Sequence, residues 1–284
     1  MKYCVTTVSL PEFTLPEQAQ LLSRLGYDGI ELRVRRNPEN GKPGFWGVHK
    51  NDLNPENLTE RAREIRQVLG DYGLELPSLA TYMRCTELED FKRALEGAVA
   101  CGARAMRVGA AAAFTSQDTD RYKVIYGETV AGFARCLEFS RGSGVKLIME
   151  AHGGTIHSSA SLGYRILSNF SPAEVGFIYD PNNMVRDGFE TTAVALQLLG
   201  DYLAHCHVAG HYPVAGEADA NGTVAWKWEK SSLAGGLYNF PELFRWLRKL
   251  NYQGFISLED YRDQLPAEFR CREGLEYMRK LDQE

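Results

Sequence analysis

The sequence lacks paired cysteines. Its six cysteines (Cys4, Cys85, Cys101, Cys136, Cys206, Cys271) are scattered, with no Cys-x-x-Cys spacing. That argues against a zinc knuckle or a disulfide framework, and predicts free thiols in a reducing, cytoplasmic protein. A basic surplus is also missing: 32 Lys and Arg stand against 37 Asp and Glu, a net charge of −5. The longest basic cluster, Arg-Val-Arg-Arg at 33–36, runs straight into Asn-Pro-Glu-Asn-Gly and reads as a loop. Nucleic-acid binding is therefore not expected. No window approaches 18 uncharged apolar residues, so neither a transmembrane helix nor membrane association is expected. The opening MKYCVTTVSLPEF reads as a strand rather than a signal peptide, lacking an apolar core with a small-residue cleavage site. Low-complexity segments and obvious linkers are absent as well.

What the sequence does have is alternation. Short runs rich in Val, Ile, Leu, Phe and Tyr fall at 3–8, 28–33, 74–80, 104–108, 145–149, 175–179, 202–208 and 254–258. Most are bounded by Gly, Asp or Asn, and several are apolar throughout, as in parallel strands buried on both faces. The third is interrupted by Pro77. Amphipathic helical patterns fall between them at 15–26, 54–73, 88–102, about 118–142, and near 158–168, 188–199, 240–250 and 266–281. Eight strands alternating with eight helices over 284 residues predict a single-domain α/β protein, a (β/α)8 TIM barrel spanning 1–284. LSRLGYDGIEL (22–32) echoes LRKLNYQGFISLE (247–259), a helix end followed by a turn and a strand. The stretches 34–54 and 209–239 read as long βα loops at the C-terminal mouth, where such barrels keep their sites.

Four polar residues stand at the C-terminal ends of consecutive predicted strands: Glu150, Asp180, His207 and Glu259. In a closed barrel these ends converge. Taken singly, each is an ordinary strand-end carboxylate, helix cap or loop histidine. Together they crowd three carboxylates around one imidazole, which calls for protonation or for a cation. The set is hard and oxygen-rich, suiting Mn²⁺, Mg²⁺ or Co²⁺, with Zn²⁺ also compatible. Five of the six histidines lie within 152–211, spanning three consecutive βα units.

The motifs LGYDGIEL, LIMEAHGG, VGFIYDPNN, HCHVAG and YQGFISLE, in this order, resemble the xylose-isomerase-like TIM-barrel superfamily, the sugar-phosphate isomerase/epimerase group. That group includes ketose 3-epimerases and inosose dehydratase. The resemblance implies one divalent metal, most often Mn²⁺, held by Glu150, Asp180, His207 and Glu259. It also implies a homodimer or homotetramer. Two departures stand out: Asn183 occupies a position where ketose 3-epimerases carry His, and Pro213 one where they carry Arg. Ala209 and Gly210 replace a frequent Lys-Asp pair.

The expected chemistry is proton transfer next to the carbonyl of a sugar or cyclitol through an enediolate, with Glu150 and Glu259 as bases. Epimerisation, isomerisation and dehydration or lyase chemistry all remain open to this ligand set. Candidate substrate contacts are His152, Arg107, Asn183, His205, Glu31 and Trp46. Arg107 serves alternatively to orient Glu150, His205 to support the metal site, and Glu31 as a plain charge at the mouth. Trp226 and Trp228 are equally a wall against a sugar ring or a subunit contact. No Gly-rich loop follows the eighth strand, where EDYRDQLPAEF (259–269) is acidic, so an unphosphorylated sugar is expected. A nuclease of the AP-endonuclease type needs more histidines at strand ends; strands one to four end in Val8, Arg33, Ala80 and Val108. A non-catalytic sugar-binding barrel would not need all four ligands.

Overall fold

The computed structural model describes residues 1–115 and 117–283. Eight parallel strands close into a barrel: β1 (Lys2–Thr6), β2 (Gly29–Val34), β3 (Leu79–Thr81), β4 (Ala105–Arg107), β5 (Lys146–Glu150), β6 (Val175–Tyr179), β7 (Leu203–Val208) and, after a hairpin, β10 (Phe255–Leu258). The barrel closes through β1 and β10, with Tyr3 opposite Ile256. Helices α1 (Leu15–Leu25), α2 (Leu58–Asp71), α3 (Leu88–Cys101), α4 (Tyr122–Ser140), α5 (Ala160–Leu167), α6 (Pro181–Asp187), α7 (Thr192–Leu199), α8 (Phe240–Lys249) and α9 (Ala267–Gln283) connect the strands. Outward-facing strand residues such as Phe177 pack with Phe91, Phe133, Phe244 and Leu247 in one continuous buried core. The predicted barrel is therefore the observed one.

Local chemistry sets the element ends. Thr14 and Glu17 form a capping box at the start of α1, with Pro16 in the first turn. Gly26 ends that helix at φ +90°. After α8 the same role falls to Asn251, at φ +51°. The echoed sequence pair is thus a repeated helix–turn–strand unit.

Three expectations are corrected. The third strand is confined to Leu79–Thr81, because Pro77 offers no donor for ladder pairing. The helical pattern at 188–199 is one helix only from Thr192; an extra short helix, α6, precedes it, capped by Asp180. The expected loop at 209–239 contains an antiparallel hairpin, β8 (Gly210–Ala218) with β9 (Val224–Ser231), turning through Asn221-Gly222. None of the described helices is long and apolar enough to cross a membrane.

Candidate metal centre and cavity

The strand ends do converge. Glu150 is the last residue of β5, Asp180 and Glu259 directly follow β6 and β10, and His207 is the penultimate residue of β7. One ligand atom from each of the four lies within 4.8 Å of the others, and all four residues are buried. His207 Nδ1 is 3.0 Å from Glu150 Oε1 and 3.3 Å from Glu259 Oε1. Its other nitrogen, Nε2, lies 3.0 Å from Glu31 Oε2. A carboxylate there favours the proton on Nε2 and leaves the Nδ1 lone pair for a ligand.

The electrostatics of the cluster are unequal. Burial pushes Asp180 up to about 7, reinforced by the charge of Glu150. Burial pushes Glu259 up to about 8, with repulsion from Glu150 and Asp180 adding to it. Burial works on Glu150 too, but the guanidinium of Arg107 and His207 outweigh it and hold Glu150 well below the usual carboxylate range. His207 is raised well above its ordinary value: burial opposes the charged ring, and Glu31 and Glu259 overcome it. Three carboxylates forced this close, two of them with raised proton affinity, are what a divalent cation relieves. The donor set, buried and oxygen-rich with one imidazole, fits such an ion.

Above the cluster lies a cavity of about 720 Å³, lined among others by Trp46, Tyr82, Arg107, His152, Asn183 and Tyr261. Trp46, 54% exposed, leans on Tyr261 at 5.2 Å between ring centroids, giving the cavity an aromatic wall. Arg107 spans the mouth: Nε donates to the Thr81 carbonyl at 2.7 Å, one terminal nitrogen pairs with Glu150, and the guanidinium stacks on Tyr82. It fixes Glu150 while facing the cavity. Asn183 donates from both its backbone and side-chain amides to the Asp180 carboxylate, so it orients that side chain. His152 is exposed, with Nδ1 2.7 Å from the Gly153 carbonyl oxygen.

Two sequence-predicted contacts lie elsewhere. Glu31 is fully buried and accepts from Ser78 Oγ (2.7 Å) and Ser257 Oγ (2.9 Å) inside the barrel. His205 sits 3.6 Å from Glu31 Oε1 and stacks edge-on against His207. Neither lines the cavity. Residues two apart on one face of a strand differ by about 6.6 Å in depth, so only His207 reaches the mouth. Trp226, on the hairpin, is 61% exposed; Trp228 is half-buried, and neither lines the cavity.

Other lining residues escaped the sequence reading. Tyr82 follows β3 directly, and Tyr261 lies two residues beyond Glu259, with its buried hydroxyl unpartnered. His211 and Lys230 face each other across the hairpin base, and His211 meets Asn182 at 2.6 Å. For the tyrosines the available signal was position just past a strand end. For His211 and Lys230 it was hidden until the hairpin was known.

Gly154 has φ +68°, and a Cβ on Gly153 would lie 2.0 Å from Asp187 Oδ2.

The closed parallel barrel thus carries at its C-terminal mouth a buried Glu-Asp-His-Glu group that could hold a metal ion. The family model described as xylose isomerase-like TIM barrel matches residues 19–281, and the chain belongs to that family. Among solved structures the chain is similar to 3-keto-D-glucoside 4-epimerase from E. coli, with TM-score 0.73 and 18% identity over 99% of each chain. It is also similar to D-allulose 3-epimerase from Methylomonas sp., with TM-score 0.74 and 14% identity over 99% of this chain and 98% of that one. A third similar structure is the IolI protein with a bound zinc atom, with TM-score 0.75 and 15% identity over 99% and 98%. At these identities the likeness shows the fold. A search of curated proteins finds no match.

Proposed function

We propose that the protein is a divalent-metal-dependent isomerase or epimerase of a sugar or cyclitol, moving a proton on a carbon next to a carbonyl. The observation that carries this reading is the convergence of Glu150, Asp180, His207 and Glu259 within 4.8 Å beneath an open cavity. Mn²⁺ is the proposed ion, on the oxygen-rich donor set; the zinc named for the IolI structure makes Zn²⁺ the ion to compare. When bound, such an ion supplies Lewis-acid stabilisation of the negative charge that develops on the substrate oxygens.

The protein's own groups do the rest. Glu259 is the base: its buried carboxylate lines the cavity. Glu150 has one oxygen tied to Arg107 and returns or accepts a proton only as that pair allows. Trp46, Tyr82 and Tyr261 offer a ring-stacking wall. His152 and Arg107 reach the cavity as hydroxyl partners. A homodimer or homotetramer in the cytoplasm completes the proposal.

A second reading, a dehydratase or lyase acting on an inosose or keto-sugar, is favoured by one observation. Asn183 is spent on Asp180, and Pro213 pairs with Trp228 in the hairpin. Neither supplies the ketose-holding group that the resemblance to ketose 3-epimerases implies at its position. One experiment separates the readings: the Mn²⁺ form incubated with ketoses, inososes and 3-keto-glycosides in D₂O, followed by NMR. Deuterium entering next to a carbonyl, without loss of substituent, is expected for the first reading; release of water or a glycone marks the second. No exchange and no turnover across the panel contradicts both. Glu259→Gln is expected to lower turnover by about 10²–10⁴-fold with modest loss of binding; near-normal turnover rejects its role as base.

A further inference from the structure

The cavity above the four ligands does not end at them. A second cavity of about 360 Å³ opens from it past Tyr82, Arg107 and His152, toward the loops that follow β3 and β4. Its far wall is Met83, Val108, Ala110, Ala112 and Ala113. The sequence runs Gly109-Ala110-Ala111-Ala112-Ala113 here, so the space exists because five consecutive side chains are small or absent.

The loops around this space are pinned. Gly109 N–H donates to the Met83 carbonyl, and Cys85 N–H to the Gly109 carbonyl, both at 3.0 Å. Phe114 N–H donates to the Gly154 carbonyl at 2.8 Å. The cavity is therefore preformed.

An independent observation points to a ligand. His157, only 3% exposed, lines this cavity. Its Nδ1 is 2.7 Å from the Glu150 carbonyl oxygen and so carries the ring proton. Its Nε2 has no partner. A buried acceptor left unpaired costs free energy that a donated hydroxyl recovers.

We propose that the second cavity is a subsite for the far half of a two-part substrate: a second sugar ring joined by a glycosidic oxygen to the ring that reacts at the four ligands. The alanine and methionine wall takes the carbon-bound hydrogens of the second ring, and a hydroxyl of that ring serves His157 Nε2. A free monosaccharide fills the first cavity alone. This inference rests on the sugar reading above.

The test is calorimetric binding to the Mn²⁺ form, with fructose compared against turanose, maltulose and palatinose. These carry glucose on O3, O4 and O6 of fructose and keep its carbonyl. At least one disaccharide is expected to bind about tenfold tighter than fructose, the scale of one recovered hydrogen bond. Ala112→Phe is expected to remove that gain and leave fructose binding unchanged; Ala113→Trp serves if the first variant does not fold. The ¹⁵N resonance of His157 Nε2 is expected to move with the disaccharide and not with fructose. Equal affinities throughout, or a gain that survives both substitutions, overturn the subsite and leave the sugar reading standing. Binding of none of the four sugars overturns the subsite, and the sugar reading is then decided by the wider panel of ketoses, inososes and 3-keto-glycosides.

Discussion

Glu150 and Glu259 carry the same side chain at the ends of two barrel strands with β6 and β7 between them, yet they sit in opposite fields. Glu150 faces Arg107 and stays ionised; Glu259 faces other carboxylates and holds its proton up to about 8. The separate roles proposed for them rest on that difference. Deeper in the barrel, Glu31 is held by two serine hydroxyls and faces His207 Nε2. Glu31→Gln is expected to weaken Mn²⁺ binding by roughly 10–100-fold, as loss of a carboxylate behind a metal-binding histidine does. Titration calorimetry with unchanged affinity would show that His207 needs no such support. The four cluster residues were legible in the sequence because each stands where an apolar strand gives way to a polar residue. Glu31 and His205 lie below the cavity, deeper than a substrate contact requires, because facing inward on a strand does not say how deep; the alternative role of His205, support of the cluster, fits its place against His207. Tyr82 and Tyr261 carried no charge to draw attention, although both sit just past strand ends.

At the scale of elements, continuous apolar runs marked the barrel strands, and Val175–Tyr179 matches its predicted bounds residue for residue. Such runs are legible because both faces of a parallel strand are buried. The hairpin β8–β9 was read as loop for the opposite reason. Its residues beyond Gly210 are half-buried or exposed, and it carries Pro213 and Gly216 within a strand. Likewise α6 has only seven residues, too few for a periodic pattern to register. Helix ends were read well where capping chemistry was explicit. In the capping box of α1, the Thr14 backbone N–H and hydroxyl both donate to Glu17 at 2.8 Å. Thr14→Ala is expected to cost about 1 kcal/mol of stability by denaturant unfolding; a change within error would mean the cap adds nothing beyond packing.

Over the whole molecule, the barrel gathers into one point residues more than a hundred positions apart, Glu150 and Glu259 among them. Closure itself was legible from the count and alternation of elements; the height of each side chain inside the barrel was not, since register is set only when strands pair. The gathered charge has a consequence for pH. Asp180 and Glu259, raised to about 7 and 8, must be ionised to hold a cation, and His207 must lose its extra proton. Metal binding is therefore expected to expel protons at neutral pH, with affinity that rises as pH rises. The most direct measurement is titration of chelator-stripped protein with Mn²⁺ by calorimetry between pH 5.5 and 8.5, alongside a variant carrying both Asp180→Asn and His207→Ala. One ion per chain is expected, with affinity climbing across that range and no binding in the double variant. Absence of binding by the unaltered protein, or one ion still held by the double variant, would contradict the assignment of Glu150, Asp180, His207 and Glu259 as a metal centre.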